Sequence, residues 1–113
     1  MKKNQTKYKI KKDRYYKSRG GTSQILQIDC SGCGSNIAYY QKDGPGSLLR
    51  MYLDRIHDCA STRDLSGVRQ KSELPSIKCP VCDKLIGIPM VYEPEQRLAF
   101  RIVDGSIKKT KLK

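Results

Sequence analysis

The chain has 113 residues, with 23 Lys and Arg against 11 Asp and Glu, one His and five Cys, for a formal net charge of +12. It has no Trp, one Phe and 37% hydrophobic residues, which implies one small domain with a thin core and excludes a second independent core or a deep catalytic cleft. No run approaches the roughly 20 apolar residues of a membrane span, and the Lys-rich start lacks the apolar stretch of a secretory signal. With Asp13 it also fits a transit peptide poorly, so a cytoplasmic location is expected, or a nuclear one in a eukaryote. Thiols stay reduced in those compartments, so the five Cys read as metal ligands rather than disulfides.

The charge is unevenly placed. Residues 1–19 hold nine cations, Lys2, Lys3, Lys7, Lys9, Lys11, Lys12, Arg14, Lys17 and Arg19, against the single acid Asp13. Residues 105–113 add Lys108, Lys109, Lys111 and Lys113 with no acid, whereas residues 20–104 hold ten cations and ten acids. The excess therefore lies in a basic N-terminal arm (1–19) and a basic C-terminal tail (105–113). Both have too few apolar residues to fold alone and are expected to be disordered. Tyr8, Tyr15 and Tyr16 are interleaved with the arm's charges. Cations that neutralise phosphates, beside rings that stack on bases, make these two segments the predicted nucleic-acid contacts.

Gly20-Gly21 breaks the arm from the body. Ile25 to Cys30 and Ile37 to Tyr40 follow as strands, and Asp43-Gly44-Pro45-Gly46 is a turn whose backbone could also cradle a phosphate. Leu48, Leu49, Tyr52, Leu53 and Ile56 share one helical face, so 47–56 is predicted as a short helix capped by Ser47, with a hairpin return strand as the alternative. Within it Arg50 is placed to pair with Asp54. Residues 60–76 read as a long polar loop. Ile86 to Ile88 and Leu98 to Val103 read as strands, with Pro89 and Pro94 limiting what lies between.

One pattern occurs twice. Ile28-Asp29-Cys30-Ser31-Gly32-Cys33-Gly34-Ser35-Asn36-Ile37 matches Ile77-Lys78-Cys79-Pro80-Val81-Cys82-Asp83-Lys84-Leu85-Ile86 as I-x-C-x-x-C-x-x-x-I, offset by 49 residues. C-x-x-C lets two thiolates converge from one tight turn, and two such knuckles complete a tetrahedral four-sulfur site for one structural zinc ion, with ligands Cys30, Cys33, Cys79 and Cys82. Four protein ligands leave no open position for hydrolysis. His57 and Cys59 are left over, as a surface His and a half-buried Cys, as substitute ligands, or as weak ligands of a second metal. With a single His, no His-based nuclease, deaminase or triad chemistry is supported, and no enzymatic activity is expected.

These residues resemble zinc ribbons, paired knuckles each followed by a strand, over about 30–40 and 75–104. The stretch Tyr40-Gln41-Lys42-Asp43-Gly44-Pro45-Gly46 through Leu53-Asp54-Arg55-Ile56 is similar to that of small zinc-ribbon proteins of uncharacterised function. This resemblance implies a small mostly-β, metal-stabilised fold and the four cysteine ligands, and no activity. The knuckles also resemble those of rubredoxins, which would imply iron and electron transfer. Asp83 in place of their usual glycine, the missing Trp and the basic charge depart from that pattern.

The leading expectation is a zinc-stapled RNA-binding protein, ribosomal or ribosome-associated, with ribosomal RNA as partner. Its arms would run along the phosphates, while Arg50, Arg55, Arg101 and the loops 31–34 and 80–83 set orientation. A protein-binding ribbon in transcription or RNA processing is the alternative, since a neutral body can dock by shape. A rubredoxin-like iron carrier is the third. No membrane partner is expected.

Overall fold

In β1 (Ser23–Cys30) burial alternates towards its end, with Leu26, Ile28 and Cys30 inside and Gln27 and Asp29 towards solvent. That period-two pattern is what a sheet with one covered face requires. The computed structural model describes residues 10–44, 46–59 and 70–112. Within them the chain forms one short helix, α1 (Arg14–Ser18), and eight strands: β1, β2 (Asn36–Asp43), β3 (Arg50–Tyr52), β4 (Ile56–His57), β5 (Ile77–Lys78), β6 (Leu85–Tyr92), β7 (Arg97–Ile102) and β8 (Ile107–Lys111). They build two four-stranded antiparallel sheets, in the orders β4-β2-β1-β8 and β3-β7-β6-β5. Ile28, Ile37, Met51, Ile77, Ile86 and Phe100, all fully buried, make the core. The protein is thus small and mostly β, as its strand patterns and the resemblance to zinc ribbons implied. Among the described residues no helix is long and apolar enough to cross a membrane.

The strands predicted at 25–30, 37–40, 86–88 and 98–103 are present as β1, β2, β6 and β7. The helix predicted over 47–56 is not. Residues 50–52 pair with β7, with Met51 opposite Phe100, and Leu53–Arg55 make a single 3-10 turn before β4. An apolar run this short fits either period. Pairing with β7 decides for a strand, because it buries Met51 and Tyr52 completely or nearly so. Arg50 accordingly does not pair with Asp54, which binds Arg97 and Arg55 instead. In the polar loop, residues 60–69 lie outside the described part. Its end is anchored by a 3-10 turn, Lys71–Glu73, and by Leu74, which enters the core.

Both termini depart from the expected disorder where they are described. The tail contributes β8, which pairs with β1 over Leu26↔Lys111 to Cys30↔Ile107. An edge strand needs backbone hydrogen bonds on one side and little apolar content, so a lysine-rich segment suffices. Its entry is fixed by Ser106, fully buried, whose hydroxyl donates to Ile86 O and whose carbonyl accepts from Ser31 N at 3.0 Å.

The arm is folded from residue 10. Lys11 donates its N–H to Gln41 Oε1 at 2.7 Å and accepts from Gln41 Nε2 at 3.0 Å, so a buried glutamine holds the arm's backbone as a strand would. Asp13 then caps α1 through the N–H groups of Tyr15 and Tyr16 and binds Arg55 Nη2 at 2.6 Å. Asp13, the arm's one acid, is its anchor.

Candidate metal centre

Each knuckle closes a hairpin, the first between β1 and β2 and the second between β5 and β6. Backbone bonds are repeated position by position. Cys30 N donates to Ser35 O at 2.8 Å and Cys79 N to Lys84 O at 2.9 Å; Gly34 N donates to Cys30 O and Asp83 N to Cys79 O, both at 2.9 Å. Gly32 N and Val81 N point at Cys30 Sγ and Cys79 Sγ, at 3.3 and 3.4 Å. The ladder of each hairpin shifts register at the matching step, between Ile28 and Asp29 and between Ile77 and Lys78. The residue after the second cysteine is left-handed in both, Gly34 at φ 83° and Asp83 at φ 66°. Glycine takes that conformation freely, whereas aspartate is among the few other residues that tolerate it.

The knuckles face each other across the two sheets. Cys30 Sγ lies 3.6 Å from Cys82 Sγ, and Cys33 Sγ 3.5 Å from Cys79 Sγ. All four sulfurs lie within 4.8 Å of one another, and they are the one group among the described residues that could hold a metal ion. A tetrahedral ion with bonds of about 2.3 Å spaces its sulfurs by about 3.8 Å, so the set fits such an ion with little movement. Cys30 and Cys79 are buried, Cys33 and Cys82 exposed. Beside the Ser35 hydroxyl and backbone N–H, with help from the Cys79 sulfur, the Cys33 thiol is lowered to about 6. Cys82 is pushed up to about 12: the Lys84 backbone lowers it, but the neighbouring sulfurs of Cys30, Cys33 and Cys79, together with desolvation, outweigh that. Four sulfurs sharing one site cannot all be anionic without a cation between them, and a divalent ion removes that conflict.

His57 and Cys59 stand apart from this cluster. His57 pairs with Tyr39 on the edge strand β4, and burial followed by the Lys11 charge pushes its imidazole below the usual range. Cys59 packs against the core.

Of the predicted nucleic-acid residues, Lys2, Lys3, Lys7, Tyr8, Lys9 and Lys113 lie outside the described part. Lys12, Lys17, Lys108, Lys109 and Lys111 are exposed. Lys11 donates through Nζ to Asp54 O. Arg14 binds the Tyr15 hydroxyl and Arg19 binds Glu95. Tyr15 is not open for base stacking, because its ring lies 3.8 Å from the Arg97 guanidinium, which also lies 3.8 Å from the Tyr52 ring and binds Asp54 and Glu95. Tyr16 is half-buried beside Gly21. Arg55, expected at the RNA surface, is fully buried among Asp13, Asp43 and Asp54, while Arg101 is exposed. Sequence reasoning missed this buried cluster. The sequence left almost no trace of it: Asp54 stands beside Arg55, but Asp43 and Asp13 lie 12 and 42 positions away. Comparison with protein families, curated proteins and solved structures gives no match.

Proposed function

We propose that this protein is a zinc-stapled, ribbon-like binding module for structured RNA, ribosomal RNA foremost, and that its surface lysines grip the phosphate backbone. One observation carries the reading. Arg55, Arg97 and Arg19 are each bound to carboxylates, whereas Lys108, Lys109 and Lys111 stand exposed along the edge strand β8. A row of lysines on one edge is the footprint of a polyanion contact. A closed four-thiolate set holds zinc or iron alike, and zinc is read here because Asp83, the missing Trp and the basic charge depart from the rubredoxin pattern, the ion's role being to staple a thin core. Iron would colour the protein red, so a colourless protein with one zinc per chain by mass spectrometry supports this reading, and a red one overturns it.

The RNA test is the salt dependence of binding. Neutralising about five phosphates gives a slope of log affinity against log salt near −4 to −5. Replacing Lys108, Lys109 and Lys111 together by Ala should flatten it by about two units. An unchanged slope and affinity would sink the reading, as would retention of the cellular partner after nuclease treatment, which would point to protein docking instead.

A further inference from the structure

We propose that the cavity between β2, β3 and the end of the arm is a binding site for a phosphomonoester group. Its volume is about 170 Å³, and Arg19, Lys42 and Arg50 all line it. That is room for several waters, hence for a tetrahedral oxyanion.

Two of the wall's charges are already answered. Arg19 Nη2 lies 3.0 Å from Glu95 Oε2, and Asp43, also in the wall, is held 2.9 Å from Arg55 Nε. Lys42 and Arg50 differ. Among the described residues, no carboxylate lies within ion-pair distance of either. Lys42 is only 9% exposed, and its ammonium spends one of three donors on Gly44 O at 2.7 Å. With the side chain largely covered and no carboxylate in ion-pair contact, the Lys42 ammonium gains from an anion that joins it. Arg50 is held in place by stacking 4.1 Å over the Tyr92 ring and by donating from Nε to the Tyr52 hydroxyl at 3.2 Å. Its two terminal amino groups donate to no described residue. Arg19 donates to the same hydroxyl at 3.3 Å, so Tyr52 aligns both guanidinium groups at one side of the cavity.

Two unanswered positive charges match a group carrying close to two negative ones. A phosphomonoester or inorganic phosphate does so at neutral pH, whereas a carboxylate or a backbone phosphodiester carries one. Forked guanidinium donors suit its oxygens. The Gly44 turn serves this site indirectly. Its N–H is spent on Thr22 O at 2.8 Å, but at φ 77° it lets the Arg19 carbonyl approach to 2.7 Å of where a Cβ would stand. The glycine thereby admits Arg19 to the wall, and side chains, not the turn's backbone, meet the anion.

The site stands independently of RNA binding. Calorimetric titration of the metal-loaded full chain with inorganic phosphate, at ionic strength held constant with chloride, should show saturable one-site binding. Arg50→Gln and Lys42→Met should each weaken it at least tenfold, while Lys71→Ala, at an exposed lysine away from the cavity, leaves it unchanged; if Lys42→Met does not fold, Arg50→Gln alone decides. No binding beyond chloride, or wild-type affinity in Arg50→Gln, overturns the proposal. Competition by a short RNA with and without a 5′-phosphate identifies the source: a tenfold preference assigns the group to an RNA end, and equal competition assigns it to free phosphate or a small monoester. Phosphate binding without any RNA affinity would retain this site and discard the RNA reading.

Discussion

Arg55 and Asp13 stand 42 positions apart in the chain and meet at 2.6 Å, with the guanidinium closed off from solvent. The same guanidinium reaches Asp43 through Nε and Asp54 through Nη1, so one buried cation ties the arm to β2 and to the turn before β4. Burying a guanidinium is tolerable only because carboxylates surround it.

Acid should loosen this tie. The hydrogen bond from Arg55, with the Tyr16 and Tyr15 N–H groups, holds the Asp13 carboxyl down at about 2. A lowered carboxylate stabilises the fold fully above its unfolded value near 4, and that contribution is lost as pH falls towards 2. The Asp13 side chain is 40% exposed, so solvent screening reduces the effect, and Asp13→Asn should cost about 1–2 kcal/mol at pH 7. Urea unfolding from pH 7 to pH 2 should show the wild-type and variant curves converging at the acid end.

Removing the cation itself should cost more. Arg55→Met leaves Asp43, whose side chain is 4% exposed, without its counter-ion. About 3–5 kcal/mol of stability should be lost, read from the same urea transitions. Proteolysis should cut the variant within residues 10–19 at enzyme levels the wild type resists.

The tail's structural and charge roles should separate. Deleting residues 106–113 removes β8 and the buried Ser106, and should lower stability by about 2–4 kcal/mol together with metal affinity. Substituting Ala for Lys108, Lys109 and Lys111 keeps the ladder and should change stability by under about 0.5 kcal/mol. Thermal melting with a zinc-chelator competition checks both.

Opposite exchanges at the two equivalent left-handed positions should have opposite effects. Asp83→Gly relieves a left-handed aspartate and should gain up to about 1 kcal/mol, whereas Gly34→Ala should lose about as much. Equal effects of the same sign would show that the knuckle backbones are not equivalent.

The metal centre was legible because a repeat carries it. The I-x-C-x-x-C-x-x-x-I match extends in space to Ile28, Ile37, Ile77 and Ile86, all fully buried, and to the shared hydrogen bonds and register shifts. Strands with apolar alternation were equally plain. β8 was hidden because Lys108-Lys109-Thr110-Lys111 reads as charge, and an edge strand draws its stability from backbone pairing that composition does not record. The arm was hidden because its docking depends on Gln41 and Arg55, polar residues that ordinarily face water. Residues 47–56 were ambiguous because only the partner, β7, chooses their period.

The strand flanking Cys30 is the last of the eight to be synthesised. Both cysteine pairs are therefore complete before β8 exists, and until residues 106–111 emerge β1 presents an open edge to any passing strand. An ion captured early by the four cysteines would join the sheets and leave that side unguarded. Until β8 closes it, that edge is where a second copy of the chain could pair.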